Sequence, residues 1–348
     1  VLPLLEDSVS GTIALPPMKL DGQINMLGQV YNADIQWKER EMQHGGIIVK
    51  AEYDMLLSKY KMALDIDSVM LSHFLPKDSL NYFSLTTRIE GKGTDFLDKG
   101  TKAQMDANLK KLQYGSYDFG GIKMEAGLEN GFGSMDINSN NDIINLTSRF
   151  DAMLHKEVSD MTFSVDMRHI DLHALRITKV PFKVGMCLHI DGSTNLNDAH
   201  RINGEINDIA LVVKDTILHP KNLAMNIIAY PDTTYADIKA GDFKLYLDGQ
   251  EGYTQLLQKG EALMALIDQQ LERRHLDQDS LRISLPPLTL NISSGKENPI
   301  AYYLRMQGYS FNNFDLRINA DPEIGLNGNG HIYDINANGI ILDTVQVS

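Results

Sequence analysis

The sequence predicts a mainly β protein, with an elongated, curved antiparallel sheet of repeated hairpins and one amphipathic helix. Three observations lead to this fold class. Apolar and polar residues alternate along most of the chain, as successive side chains do on the two faces of a strand. Glycine and asparagine separate the alternating segments. Only one long segment, near residues 253–271, has helical spacing instead.

The alternating segments are the predicted strands. Each has one face of large apolar side chains and one face of polar or small residues, a pattern typical of a sheet with one solvated face. The apolar residues of these strands are Tyr60, Met62, Leu64 and Ile66; Ile122, Met124, Ala126 and Leu128; Met161, Phe163, Val165 and Met167; Phe182, Val184, Met186, Leu188 and Ile190; Leu223, Met225 and Ile227; Phe243, Leu245 and Leu247; and Phe314, Leu316 and Ile318.

Four glycine-containing segments are predicted to form tight turns between strands. They are Glu129–Gly131, Asp191–Gly192, Asp248–Gly249 and Asn327–Gly330. Glycine and asparagine tolerate the positive φ angles that tight hairpin turns require. Most connections are therefore expected to be antiparallel hairpins.

The chain resembles itself when it is shifted by 101 residues, with Asp65 matching Asp166 and Met124 matching Met225. This favours repeated units that pack on their neighbours, although alternating strands of a compact sandwich could match by chance. The repeat predicts a partial first unit, two β-repeat units, a helical connection and further strands, with boundaries at 1–64, 65–165, 166–252, 253–285 and 286–348.

The segment that begins at Tyr253 is predicted to be an amphipathic helix. Its polar face carries charges of both signs, which favours a helix that covers an apolar sheet face over one that lies on a membrane. A shorter apolar stretch, Val69 to Leu75, is expected to form a single helical turn at a strand end. The helix residues predicted to cover the sheet are Leu256, Leu257, Leu263, Met264 and Ile267.

Composition excludes several classes of protein. The 348 residues include 43% hydrophobic residues, 27 Gly, 11 Pro and one Cys, which excludes disordered, collagen-like and disulfide-framework chains. A net charge of −14 makes nucleic acid and anionic membrane surfaces poor partners, because binding to either depends on basic side chains that neutralise phosphates. No apolar run is long enough for a membrane span. Because the first residue is Val1 and not methionine, we expect a processed or excised segment, with any membrane anchor upstream of it.

Motifs for enzyme chemistry are weak. A strand through His169, Asp171 and His173 would place two imidazoles and a carboxylate on one face, but such residues on a polar face are usually solvated, so no metal site is predicted. Asp136–Asn140 begins like a calcium loop, but the glycine and glutamate that complete one are missing. Cys187 is interpreted as a small core residue. The sequence therefore predicts a non-enzymatic protein without a cofactor.

Several of the 16 methionines lie on the predicted apolar faces. Methionine is flexible and polarisable, so it either fills an irregular core or contacts ligands without a fixed shape, such as acyl chains. Repeated hairpins in one curved sheet would leave a long apolar groove that one short helix cannot cover. The predicted lining of this groove consists of the apolar strand residues between Tyr60 and Leu247 named above, without Ala126, Met167 and Ile190.

Five segments carry a family resemblance. They are Leu109–Gly115, Gly120–Gly131, Asp248–Leu257, Ser293–Pro299 and Gly325–His331. In these strand and turn phrases the chain resembles the TamB and AsmA-like family of diderm bacteria, the periplasmic proteins of the translocation and assembly module type. The likeness spans about Asp65 to Asp343.

This resemblance implies a β-taco or repeating β-groove that conducts phospholipid between the inner and outer membranes in outer-membrane biogenesis. It also implies a periplasmic location, an inner-membrane anchor absent from this chain, and an outer-membrane barrel partner of the TamA type. This chain would be a middle segment of such a protein. Two alternatives stay open: a scaffold or assembly factor that pairs its strand edges with client β-strands, and a carbohydrate-active β protein with paired carboxylates.

Overall fold

A computed structural model describes residues 18–39, 45–73, 80–213, 216–337 and 339–347. It confirms the predicted fold class: the described residues form one open antiparallel sheet of 22 strands and few helices. The strands are β1 Met18–Leu27, β2 Val30–Glu39, β3 Gly46–Asp54, β4 Lys59–Met70, β5 Leu80–Lys92, β6 Lys102–Tyr114, β7 Tyr117–Asp118, β8 Ile122–Glu129, β9 Phe132–Asn140, β10 Ile144–Met153, β11 Ser159–Asp171, β12 Phe182–Thr194, β13 His200–Val213, β14 Thr216–Leu218, β15 Leu223–Tyr230, β16 Thr233–Ala240, β17 Phe243–Gly249, β18 Leu288–Ser294, β19 Tyr309–Ser310, β20 Asn313–Asp321, β21 Gly325–Ala337 and β22 Ile340–Val347.

The chain divides into two compact units. Unit 1 comprises Val1–Lys156, Met161–Met186 and Leu211–Ile217, and unit 2 comprises Glu157–Asp160, Cys187–Ala210 and Leu218–Ser348. In unit 1, β1 to β6 pair in sequence, and β6, β8, β9 and β10 continue the same antiparallel pattern. In unit 2, β13, β15, β16, β17, β18, β20, β21 and β22 pair in that order.

Three helices occur among the described residues, all within the range of unit 2. Helix α1, Tyr253–Glu272, is the predicted amphipathic helix, while α2, Gln278–Ile283, and α3, Pro299–Met306, were not predicted. Both short helices begin after a residue whose side chain accepts backbone N–H bonds, Asp277 for α2 and Asn298 for α3. These capping residues are the sequence signal for the two helices, since neither helix is long enough to show a clear apolar period.

A single 3₁₀ turn, Leu71–His73, follows β4. It confirms the helical turn predicted at this strand end. The remainder of that predicted segment, residues 74–75, lies outside the described residues.

The turn predictions were partly wrong. Asn130 and Gly131 both have positive φ and connect β8 to β9 as predicted, but the glycines at 192, 328 and 330 lie inside strands. Gly330 pairs with Leu316, and a Cβ atom at this position would come within 3.3 Å of the Leu316 side chain. Glycine can thus serve close packing within a strand as well as a turn.

Strand boundaries recur with the predicted spacing. Strands β4, β5, β8 and β9 begin 100, 102, 101 and 101 residues before β11, β12, β15 and β16, respectively. The boundaries of the five predicted segments remain predictions, because the two compact units are divided differently along the chain.

A small buried cluster closes one end of the unit 1 sheet. Phe119, Ile143 and Ala174 form its centre, and each is at most 9% exposed. Beside it, the Asn141 Oδ1 atom accepts the backbone N–H groups of Ile143 and Ile144, at 3.0 and 2.8 Å. The Asn141 amide therefore holds the β9–β10 turn in place.

We expect Asn141→Ala to lower the free energy of unfolding of unit 1 by about 2 kcal/mol, because it removes acceptors from two part-buried N–H groups. The Asn141 Nδ2 atom also donates to the Gly120 carbonyl at 2.9 Å. Chemical denaturation measures the loss. Asn140→Ala, at the neighbouring exposed position, is the matched control and should change stability by less than about 0.5 kcal/mol; equal effects at both positions would contradict the role of the amide.

Candidate functional site

The apolar face of unit 1 is continuous across nine strands. Residues that lie directly opposite each other on paired strands point to the same face, so the pairings trace rows across the sheet. One such row consists of Ile24, Ala33, Ala51, Met62, Ile89, Met105, Ala126, Met135 and Phe150, and the next consists of Gly22, Ile35, Val49, Leu64, Thr87, Ala107, Met124, Ile137 and Ser148.

The predicted groove residues of β4 and β8 all lie on this apolar face. Tyr60 and Leu128 belong to a third row, and Ile66 and Ile122 belong to a fourth. These side chains are half-buried, and Met62 is the most exposed, at 37%. The side chains of this face therefore keep part of their surface open to solvent, where an apolar molecule could contact them.

The predicted groove residues of β11 and β12 occupy every second position of their strands. Met161 and Phe163 on β11 and Val184 and Met186 on β12 are half-buried. Val165 and Phe182, by contrast, are buried, at 8% and 7% exposure, and so are better placed for a core than for ligand contact. Leu188, further along β12, is half-buried and falls in unit 2.

Unit 2 carries a second apolar face. The predicted residues of β15 and β17 lie on it together, since Met225 pairs with Ile238 and Ile238 pairs with Leu245. Two rows cross this sheet: Ile202, Ile227, Ala236, Leu247, Leu290, Ile318 and Gly328, and Gly204, Met225, Ile238, Leu245, Ile292, Leu316, Gly330 and Val347. Leu223 and Phe243 meet on this face through Ala240, which pairs with both.

Many residues of the two faces were missed by the sequence analysis. In unit 1 they include Val49 on β3, Ile89 on β5 and Met105 on β6; in unit 2 they include Ile238 on β16 and Ile292 on β18. Their strands also alternate, but small or polar residues such as alanine and threonine interrupt the apolar positions. Only the pairing with stronger strands reveals that these positions belong to one face.

Helix α1 contacts the sheet of unit 2 through Leu256. Leu256 is 7% exposed, and its side chain lies so near Gly249 that a Cβ atom there would be 2.4 Å from Leu256 Cδ1. Leu263 and Ile267 are half-buried, whereas Leu257 and Met264 are exposed on another side of the helix, along with Leu271. Coverage of the groove by this helix remains a prediction.

The opposite face of unit 1 is charged. One row across it consists of Gln23, Asp34, Lys50, Ala63, Arg88, Asp106, Glu125, Asp136 and Arg149. Two open depressions of about 640 and 940 Å³ lie among charged residues of this face. Charges of both signs are mixed along this row, which is typical of a solvated strand face.

Ion pairs on the strands of both units keep two basic side chains protonated. Arg149 Nε donates to Asp151 Oδ2 at 2.6 Å, and this hydrogen bond raises the pKa of the Arg149 guanidinium above its ordinary value. On unit 2, a hydrogen bond to Asp237 likewise raises the pKa of Lys239. Both groups therefore stay cationic at all physiological pH values.

The three residues of the histidine-containing segment have separate structural partners. His169 Nε2 lies 3.0 Å from the Asp142 carbonyl, and His173 Nδ1 lies 3.0 Å from the Thr178 carbonyl. Asp171 Oδ1 accepts the backbone N–H of His173 at 3.0 Å. Within the described ranges, no three His, Cys, Asp or Glu side chains are placed to share a metal ion.

Across the described parts of the chain, no helix combines the length and the apolarity that a membrane span requires. The chain matches no family model, and neither the curated proteins nor the solved structures include a significant match to it.

Proposed function

We propose that the apolar faces bind the acyl chains of phospholipids, and that the protein is a non-enzymatic conduit for lipid of the TamB and AsmA-like type. The observation that carries this proposal is the nine-strand apolar face of unit 1. The described residues of unit 1 contain no α-helix. A sheet face of this kind normally packs against a second layer, so an apolar ligand is a suitable occupant.

The dimensions of the face suit an acyl chain. Eight inter-strand spacings of about 4.8 Å give an apolar strip about 38 Å long. Each methylene group that leaves water for such a surface contributes about 0.8 kcal/mol. Methionine and alanine make up most of the row through Met62 and Met105. The flexible methionine side chains adapt to an acyl chain that has no fixed shape.

Native mass spectrometry tests this proposal. The protein, purified without detergent and incubated with phosphatidylethanolamine and phosphatidylglycerol, is expected to retain phospholipid in the gas phase. A fluorescent fatty acid should compete for the same sites in solution. Protein that retains no phospholipid and does not bind the fatty acid would contradict the proposal.

Strand-edge pairing is a second candidate, and the exposure of β22 favours it. Every residue of β22 is exposed, and Ile341 reaches 76%. Among the described residues, β22 pairs only with β21. An unpaired apolar edge is a template for another strand, such as one from a client or from a barrel partner of the TamA type.

Site-specific photocrosslinking separates the two candidates. A photoreactive residue at Val345 should capture a β-strand client if the edge is functional, and one at Met124 should capture lipid if the apolar face is functional. In a periplasmic extract, protein adducts at Val345 with no lipid adduct at Met124 would favour the assembly role.

A further inference from the structure

The apolar face of unit 2 has two margins, at the two ends of its strands, and both contain small buried residues. One margin is a row of directly paired residues: Ala229, Thr234, Gly249, Leu288 and Ala320. The opposite margin includes Ala240 and Ser294. Thr234, Ala320, Ala240 and Ser294 are at most 7% exposed, so other parts of the chain cover both margins.

The start of helix α1 covers the first margin. Gly249 lies on the apolar face, because it alternates along β17 with Leu247, and a Cβ atom at Gly249 would overlap Leu256 Cδ1. On the neighbouring strand, Thr234 Oγ1 donates to the Glu251 carbonyl at 2.8 Å. These two contacts place residues 251–256 on the apolar side of the sheet.

Helix α2 is attached at the same end of the sheet. Arg282 Nη1 donates to the carbonyls of Pro322 and Glu323, at 3.3 and 3.1 Å, in the turn between β20 and β21. The segment from α1 to α2 therefore borders the apolar face from β16 to β21.

Helix α3 begins at the opposite margin. Ser294 lies on the apolar face, because it alternates with Ile292, and its Oγ accepts a hydrogen bond from Asn298 Nδ2 at 3.0 Å. The same amide donates to Asp242, in the turn between β16 and β17, at 2.7 Å. Ala301 in the first turn of α3 is 5% exposed. Helical segments thus stand at both strand ends of one apolar face.

Two rows of large side chains lie between the margins, and we call them the central strip. The rows are Ala236, Leu247, Leu290, Ile318 and Gly328, and Ile238, Leu245, Ile292, Leu316 and Gly330. All leucines and isoleucines of these rows are half-buried. The helices therefore bury small residues at the margins and leave the large apolar side chains between them partly open to solvent.

The width of the central strip limits what can occupy it. The margin rows are three row spacings apart, which is about 20 Å at about 6.8 Å for two residues. Helices with a radius of about 5–6 Å at each margin leave about 8–10 Å between them, less than the 10–12 Å of a further helix. From β16 to β21 the strip is about 19 Å long, which exceeds the roughly 15 Å that a chain spans in one half of a bilayer core.

We propose that an acyl chain lies in the central strip, along its rows and between the helical segments at the two margins. The inference rests on the proposed function, which assigns acyl chains to the apolar faces, and adds the position and direction of a chain in unit 2. An acyl chain has no side groups, so it fits a space that is too narrow for another layer of protein. Contact with leucine and isoleucine contributes about 0.8 kcal/mol for each buried methylene group.

Site-specific photocrosslinking of the full chain with phosphatidylglycerol tests the position and the direction. Photoreactive residues placed separately at Leu247 and Ile318, two strands apart in one row, should both capture the lipid. Leu290→Glu, between them in the same row, should lower capture at both positions by about tenfold. A photoreactive residue at Asn291, on the opposite face of β18, is the control and should capture little lipid.

Variants of the first margin test the role of helix α1. Gly249→Val displaces Leu256 and should lower lipid capture at Ile318 by about tenfold, because the chain loses the helix on one side. Leu256→Ala adds no bulk and should act in the same direction, which keeps the test valid if Gly249→Val misfolds. Gly260→Ala is the matched control in α1, since a Cβ atom there meets no other atom within 4 Å.

The outcomes separate this inference from the proposed function. Lipid capture at Met124 of unit 1 without capture at Leu247 and Ile318 would overturn the inference and leave the proposed function standing. Capture at none of the three positions would count against both. If Leu256→Ala and Gly260→Ala leave capture at Ile318 equally unchanged, helix α1 does not hold the chain and the inference is wrong.

Discussion

Asn298→Asp is expected to lower the free energy of unfolding of unit 2 by about 4 kcal/mol. Asn298 is 0% exposed. Its Nδ2 atom donates to Asp242 Oδ1 at 2.7 Å and to Ser294 Oγ and the Gly295 carbonyl, both at 3.0 Å. The aspartate would replace this donor with an acceptor and place a buried carboxylate in contact with the half-buried carboxylate of Asp242.

The oxygen of the Asn298 amide caps the N-terminus of helix α3. Its Oδ1 atom accepts the N–H of Ala301 at 2.8 Å, which is the cap of the helix. Asn298→Ser keeps an oxygen for this cap but loses the amide donor, so we expect it to cost about 2 kcal/mol, less than the aspartate. A larger loss for Asn298→Asp than for Asn298→Ser is therefore the result that carboxylate repulsion predicts.

Denaturant unfolding, with hydrogen exchange of residues 288–306 to locate the effect, provides the measurement. Asn291→Asp introduces the same charge at an exposed position of β18 and should change stability by less than about 0.5 kcal/mol. If repulsion is the cause, acidification should restore part of the stability of Asn298→Asp, since one carboxylate then takes up a proton. If Asn298→Asp lowers the free energy of unfolding no more than Asn291→Asp does, the proposed role of the buried Asn298 amide is wrong.

Met124→Glu is expected to weaken binding of a fatty acid or phospholipid by about tenfold or more. Met124 lies between Ala107 and Ile137 on the apolar face of unit 1. The glutamate would remove contacts with about two methylene groups, each contributing about 0.8 kcal/mol, and would place a charge where an acyl chain excludes water. A loss of 1.4 kcal/mol already corresponds to a factor of about ten.

The control for this variant lies on the other face of the same sheet. Asn138→Glu adds one negative charge beside Lys123, at an exposed position one residue from the partner of Met124. We expect it to bind lipid like the unmodified protein, and Met124→Leu should do the same because the position stays apolar. If fluorescence titration finds Met124→Glu and Asn138→Glu equal, with both variants folded, the apolar face of unit 1 is not the binding surface.

Alternation predicted the strands reliably, because strand side chains have a period of two whatever their neighbours are. The prediction put every second residue from Tyr60 to Ile66 on one face of its strand, and likewise from Ile122 to Leu128. The structure shows the same arrangement. Glycines were harder to interpret. Gly131 sits in a turn with φ of 79°, while Gly330 makes room for the Leu316 side chain within a strand, and composition alone does not separate these two uses.

Local sequence could not predict which turns expose their apolar side chains, nor the hydrogen bond between Asn298 and Asp242. Leu56 and Ile143 are both large apolar residues in turns, yet one is 74% exposed and the other 4%. The difference arises because the two turns lie at opposite ends of the sheet, and only one end holds Phe119 and Ala174 as packing partners. Likewise, Asp242 and Asn298 are 56 residues apart in the chain.

The sequence by itself determined the β character of this protein, the apolar and charged faces of its strands and the amphipathic helix that begins at Tyr253. These features depend on residue spacing within a single segment. The tertiary structure alone decided which strands are neighbours, how their apolar positions join into rows, and which turns expose or bury their side chains. Those properties depend on the pairing register, which brings together residues that are distant along the chain.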